Sequence, residues 1–357
     1  MENDPKKILL IDDSALMRRV MSDIINHIDG FTVAYLAADG EEGYAYLSKQ
    51  NDIDVVMTDI DMPKMDGLTL IKKSKEAGVV APFIVFSARE DSYAVFTALD
   101  LGAIEFIRKP EHIFQKDVQR YAEKIKKALC MAVEVKERTL HKAEAACTME
   151  PEKPVIIKKK HRQKNGKKLV ALVCSTGGPR ALQSVIPKLP KNLAAPVVLV
   201  QHMPAGFTKS MAERLNELSQ VQVKEASNGE VLKNGVVYIA PGGTHIAIKK
   251  SGASHVISFN DMPPISGLKP CANIMFDSLT SSNYDEVVCV VLTGMGADGT
   301  NGILSLGKSK PIYVIAQDEK SSVVYGMPRA IYEAGVVDEV VTLSDVAKAI
   351  TKNVGVK

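Results

Sequence analysis

The chain has 357 residues, 46% apolar, 24% charged and 5% aromatic, with no Trp; that length accommodates two domains, or at most three, each with its own core. The composition is that of an ordinary soluble globular protein, and the net charge of +3 excludes a chain that is basic throughout. The charge is unevenly spread: residues 1–149 hold 20 basic and 25 acidic residues, residues 150–168 hold 8 and 2, and residues 169–357 hold 17 and 15. No run reaches the roughly 18 apolar residues of a membrane helix, so membrane insertion is not expected. The start, MENDPKK followed by ILLI, lacks the h-region and cleavage site of a signal peptide. Five scattered cysteines with no CxxC pair argue against a disulfide framework or a zinc site and fit a reducing cytoplasm.

Apolar runs at 6–11, 32–37, 54–58, 82–87 and 103–107 predict five parallel strands buried on both faces. Helically spaced stretches such as 15–28 and 67–77 lie between them, and a fifth helix is expected near 112–140, with Ile113, Val118, Tyr121, Ile125 and Leu129 on one face. The pattern is a doubly wound α/β domain. In such a sheet the carboxyl ends of the strands gather at one edge. There the sequence places Asp12 and Asp13, Asp59, Ser87 and Lys109. Three carboxylates at one edge repel one another unless a hard divalent cation such as Mg²⁺ sits among them. A hydroxyl and an ammonium beside that cation suit a phosphoryl group on one carboxylate, and Asp59, alone on the central strand, is the natural acceptor. Taken alone, Asp12 and Asp13 also read as caps of the following helix.

This constellation, with TDIDMPKMDG around Asp59 and Lys-Pro at 109–110, resembles the response-regulator receiver family over residues 5–125. The resemblance implies phosphorylation of Asp59 by a histidine kinase, with Mg²⁺ held by Asp13, Asp59 and the backbone carbonyl of Asp61. Phe106 stands at the family's switch-aromatic position, often Tyr, without the hydroxyl.

Periodicity fades over 141–168, which holds two prolines and the run KKKHRQKNGKK. A flexible, solvated linker is the expected reading, with a nucleic-acid tail as the alternative. From Leu169 the alternation resumes, with strands at 169–174, 195–201, 236–240, 286–293, 311–316 and 336–340 and helices near 179–187, 207–218, 271–281, 299–307, 326–334 and 344–353. Short alternating runs and two Asn-Gly turns make 221–260 an expected antiparallel insertion or edge. The whole is a second doubly wound, mostly parallel α/β domain.

Its first strand ends in Cys174-Ser175-Thr176-Gly177-Gly178-Pro179, which puts Ser175 at a strand-to-helix turn. The logic is that of a nucleophile elbow, although a helix cap or a phosphate loop has the same signature. The next strand ends at His202, placed to take a proton from Ser175. His245 in PGGTHI is a rival base, or a residue that orders its loop. The strand at 286–293 runs into Gly294-Met295-Gly296-Ala297-Asp298-Gly299, where Asp298 is placed to orient His202 and the Met295 amide to face an oxyanion. The same glycines match a dinucleotide fingerprint, with Asp318 at the next strand end. Gly302 to Ser309 matches a P-loop pattern but runs from helix to strand, the wrong direction.

Ser175, His202 and Asp298 within STGGP, QHMPAGFT and TGMGADG resemble the chemotaxis protein-glutamate methylesterase (CheB-type) family over nearly the whole chain. The resemblance implies a receiver at 1–125, a helix extension and basic linker at 126–168 and a catalytic domain at 169–357. It implies Ser175 as nucleophile, His202 as base, Asp298 as orienter, Thr176 as support and the Met295 amide as oxyanion donor. The expected reaction is hydrolysis of glutamyl methyl esters on chemoreceptors, with deamidation of receptor glutamines, and the expected partners are those receptors and a chemotaxis histidine kinase. No nucleic acid is expected, nor any cofactor for the ester chemistry. The unphosphorylated receiver is expected to cover the cleft. Lys269-Pro270-Cys271-Ala272-Asn273 stands where the family commonly has Arg-Pro-Ser-Val-Asp, a departure expected to bear on substrate docking and to leave the triad intact.

Overall fold

Runs of Ile, Leu and Val without a polar face must be covered on both sides, and each forms a parallel strand flanked by helices. The computed structural model describes residues 4–87, 92–109, 115–145, 155–156 and 166–356. The chain divides into two units, Met1–Pro151 and Glu152–Lys357.

In the first unit β1 (Lys6–Ile11), α1 (Ala15–Asn26), β2 (Phe31–Ala37), α2 (Gly40–Lys49), β3 (Val55–Thr58), α3 (Gly67–Glu76), β4 (Phe83–Ser87), α4 (Ser92–Leu101), β5 (Glu105–Arg108) and α5 (Gln115–Ala145) alternate. The sheet order is β2-β1-β3-β4-β5, all parallel. Helix α5 is described from Gln115 and runs past the expected end to Ala145; Ile125 and Leu129 are fully buried, and Lys136 ties it to Asp54 at 2.9 Å. Ile113 and Pro110 lie outside the described residues.

The second unit runs β6 (Val155–Ile156), β7 (Lys168–Cys174), α6 (Gly178–Val185), β8 (Val197–Gln201), α7 (Phe207–Leu218), β9 (Gln222–Glu225), β10 (Val236–Ile239), β11 (His245–Ser251), β12 (Ser254–Asn260), α8 (Ala272–Ser278), β13 (Glu286–Val291), α9 (Thr300–Ser309), β14 (Ile312–Gln317), α10 (Gly326–Glu333), β15 (Glu339–Val341) and α11 (Val346–Val354). The sheet order is β6-β15-β14-β13-β7-β8-β10-β9. Only β6 pairs antiparallel in it. The chain leaves β7 for β8 on one side and later returns to β13 on the other, so the topological switch falls at β7.

Two expectations are corrected. Within 221–260, β9 and β10 extend the parallel sheet, and only the β11–β12 hairpin is antiparallel. The P-loop pattern, set aside for its direction, lies inside α9, where Ile303 and Leu306 face the core. The basic run is not all linker: Lys168 opens β7, buried, with its ammonium on the Asn353 carbonyl at 2.8 Å and near Glu286 at 3.5 Å. Residues 158–165 of that run lie outside the described residues. Leu172, in the middle of the central strand, is fully buried. Leu172→Ala is expected to destabilise the second unit by about 2–5 kcal/mol, seen as a lower Tm of its transition in thermal denaturation of the full chain.

Candidate functional site

Two strand-end clusters emerge, one in each unit. In the first, Ser14 caps α1 by accepting the Met17 amide at 3.3 Å, and Asp12 takes the Ser14 amide at 2.9 Å. Neither Asp12 nor Asp13 is the cap, so the capping alternative does not account for them. The carboxylates of Asp12, Asp13 and Asp59 each place an oxygen within 4.8 Å of the others. The Lys109 ammonium, buried, bridges Asp12 and Asp59. Ser87 ends β4, buried, and its carbonyl accepts the Lys109 amide at 2.9 Å. Asp61 follows in the Asp59 loop with its side chain exposed. Burial raises the Asp59 pKa, and Lys109 partly opposes the rise. Gly67 is required where α3 begins, because a Cβ there would lie 2.1 Å from the Asp59 carbonyl oxygen. Three hard oxygen donors with a single lysine fit a small divalent cation such as Mg²⁺.

In the second unit, β8, β7 and β13 are adjacent, and each delivers one residue to the same edge. Ser175 follows β7, and its amide donates to the Thr293 carbonyl at 3.0 Å. The His202 amide donates to the Cys174 carbonyl at 3.2 Å, which pins His202 beside the Ser175 turn. Gln201, buried at the end of β8, donates through Nε2 to the carbonyls of both Ser175 (2.9 Å) and His202 (3.1 Å). Gly294 packs on Ser175, and a Cβ there would lie 2.8 Å from the Ser175 Cβ. The His202 ring meets Asp298 Oδ2 through Nε2 at 2.7 Å, while Nδ1 is buried without a partner among the described residues. Nε2 therefore carries the proton toward Asp298, which leaves Nδ1 as the lone-pair nitrogen.

Asp298 is held on every side. Its Oδ2 also accepts the Ala272 amide at 2.6 Å, and its Oδ1 accepts the amides of Gly299 (2.9 Å) and Asn273 (3.1 Å) and the Cys271 thiol (3.1 Å). Burial alone would raise its pKa, but the His202 contact, the Ala272 amide and the Cys271 thiol outweigh burial and hold it at about 2. The segment expected to bear on docking thus also holds Asp298. The Met295 amide has no hydrogen-bond partner among the described residues, as an oxyanion donor requires. Thr176 is buried; its carbonyl accepts the Thr293 hydroxyl at 2.9 Å, and that hydroxyl accepts the Val324 amide at 3.0 Å.

The rivals find other employment. His245 is fully buried, with Nδ1 accepting the Cys271 amide at 3.0 Å and Nε2 on the Pro263 carbonyl at 3.2 Å, so neither nitrogen is left for a serine. At the glycine fingerprint, Asn273 Oδ1 takes the amides of Gly299 (3.1 Å) and Gly302 (2.8 Å) that a pyrophosphate would need. Asp318 accepts the Ser321 amide at 3.2 Å. Sequence reasoning did not single out Gln201 or Thr293, and it did not foresee what Cys271 and Asn273 hold; the available signal was a polar residue ending an otherwise apolar strand.

A model described as CheB methylesterase matches residues 170–350, and one described as response regulator receiver domain matches residues 8–116. The chain is 38% identical over 353 residues to the protein-glutamate methylesterase/protein-glutamine glutaminase of Oceanobacillus iheyensis, covering 97% of this chain and 98% of that one. It is 39% identical to the protein of the same name from Bacillus subtilis, covering 97% of each chain. The crystal structure of the Thermotoga maritima CheB methylesterase catalytic domain is 40% identical and superposes with a TM-score of 0.51, covering 52% of this chain and 98% of that one. Among the described residues no helix is long and apolar enough to cross a membrane.

A thiol reacts as its thiolate. Cys174, Cys271 and Cys289 are buried, burial raises the Cys174 pKa, and burial with the charge of Asp298 pushes Cys271 up to about 12. Cys130 alone of the described cysteines is exposed. Iodoacetamide at neutral pH, followed by peptide mass mapping, is expected to label Cys130 and to leave these three unmodified until the chain is denatured.

Proposed function

The chain belongs to the protein-glutamate methylesterase/protein-glutamine glutaminase family, with a receiver ahead of its catalytic domain, and we propose that it hydrolyses glutamyl γ-methyl esters on chemoreceptors, and γ-amides of receptor glutamines, under control of phosphorylation at Asp59. The observation that carries this reading is the His202 ring, which sits one strand from Ser175 with Nε2 on Asp298 and a buried, unpartnered Nδ1.

On this reading His202 Nδ1 takes the proton of the Ser175 hydroxyl as Oγ attacks the ester carbonyl. The Met295 amide receives the oxyanion, and Thr176 supports the turn. Asp298 stays ionised and stabilises the imidazolium. His202 returns the proton to the departing methoxide, which leaves as methanol; with a glutamine substrate, ammonia leaves. Water, deprotonated by His202, then attacks the acyl-serine, freeing the glutamate and restoring Ser175.

In the receiver, the Asp59 carboxylate is the phosphoacceptor, taking its phosphoryl group from a chemotaxis histidine kinase. Ser87 and Lys109 bind the phosphoryl oxygens, and Asp12 completes the acidic pocket. Asp13, Asp59 and the Asp61 backbone carbonyl would hold Mg²⁺, which supplies charge neutralisation during phosphoryl transfer. The raised pKa of Asp59 follows from a buried pocket with few compensating charges.

Ser175→Ala is expected to lower methanol release from methylated receptor membranes by about 10³-fold or more; substantial turnover by this variant removes Ser175 from the nucleophile's role. Asp59→Asn is expected to abolish the stimulation of methanol release by acetyl phosphate, and continued stimulation would place the phosphoacceptor elsewhere.

A further inference from the structure

An orienting carboxylate must present one oxygen to the histidine at a fixed angle while remaining ionised away from water. Asp298 achieves this with five donors, of which only His202 belongs to the reaction itself. Cys271 and Asn273 provide two of the other four. Asn273 grips Asp298 from both ends: its amide donates to Oδ1 at 3.1 Å, and its side-chain oxygen accepts the amides of Gly299 and Gly302, fixing the turn that follows Asp298. Cys271 donates its thiol to the same Oδ1 at 3.1 Å, and its own amide is anchored on the buried His245 ring. The result is a continuous chain from His245 through Cys271 and Asp298 to His202.

We propose that Cys271 and Asn273 are the positioning residues of the hydrolysis, together clamping Asp298 in the orientation His202 needs. The proposal rests on the Ser175-His202-Asp298 reading. Neither side chain touches the reacting atoms, so their loss should show in the chemical step. The Asn273 side chain is used only as an acceptor, so a carboxylate can replace it. The Cys271 side chain is used only as a donor, so a hydroxyl can replace it.

The test measures kcat and KM for methanol release from methylated receptor membranes with the full chain, and the Tm of each variant. Asn273→Ala is expected to lower kcat about 10- to 100-fold with KM within twofold, and Asn273→Asp to retain kcat within about threefold. Cys271→Ala, a small change that leaves the core folded, is expected to lower kcat about 3- to 10-fold, and Cys271→Ser to restore it. Unchanged kcat in both alanine variants overturns the clamp. So does a loss confined to KM, or equal losses in the alanine and conservative variants. Asp298→Ala serves as reference: if it keeps full kcat, the triad reading itself fails, whereas inactive Asp298→Ala beside fully active Cys271→Ala and Asn273→Ala sinks only the clamp.

Discussion

The catalytic arrangement depends on the parallel pairing of β7 with β8 on one side and β13 on the other. Parallel strands point their carboxyl ends the same way, so residues far apart in the chain arrive at one edge without any long loop having to reach for them. The Ser175 amide on the Thr293 carbonyl and the His202 amide on the Cys174 carbonyl continue this pairing one residue past the strands. Gln201 then ties the two turns together through their carbonyls. The positions of Ser175 and His202, the proposed nucleophile and base, are therefore set by backbone hydrogen bonds, the least adjustable part of the fold.

The two units use buried aspartate in opposite ways. Asp59 sits with two other carboxylates and a single lysine, so burial prevails and its pKa rises. Asp298 is also buried, yet it collects donors from Gly299, Ala272, Asn273, Cys271 and His202, and its pKa falls to about 2. The first environment suits a group that is to gain a charged substituent beside a cation. The second suits a permanent anion that must outlast every turn of an acyl-transfer cycle.

Strand ends were the legible part of the molecule. Asp12, Asp59, Ser87 and Lys109 in one unit, and Ser175 and His202 in the other, each stand at or just past the end of an apolar run. Reading was weakest where the period carried little information. The short runs of β9 and β10 looked antiparallel because Asn-Gly turns flank them, yet both join the parallel sheet. Lys168 looked like linker because of its charged neighbours, yet it enters the core once Asn353 and Glu286 meet its ammonium. The segment around Cys271 registered only as a departure from a familiar pattern, since its partner lies 27 residues away.

From the sequence alone came the two α/β domains, the acidic and serine-bearing strand ends, and the family they resemble. These follow from local rules, because hydrophobic period, strand length and glycine-rich turns are all written in consecutive residues. Only the tertiary structure decided which nitrogen of His202 faces Asp298, that His245 is occupied elsewhere, and that Cys271 and Asn273 hydrogen-bond Asp298. Those outcomes depend on which donors and acceptors meet across separate elements, and a buried polar atom takes whichever partner the packing brings within about 3 Å.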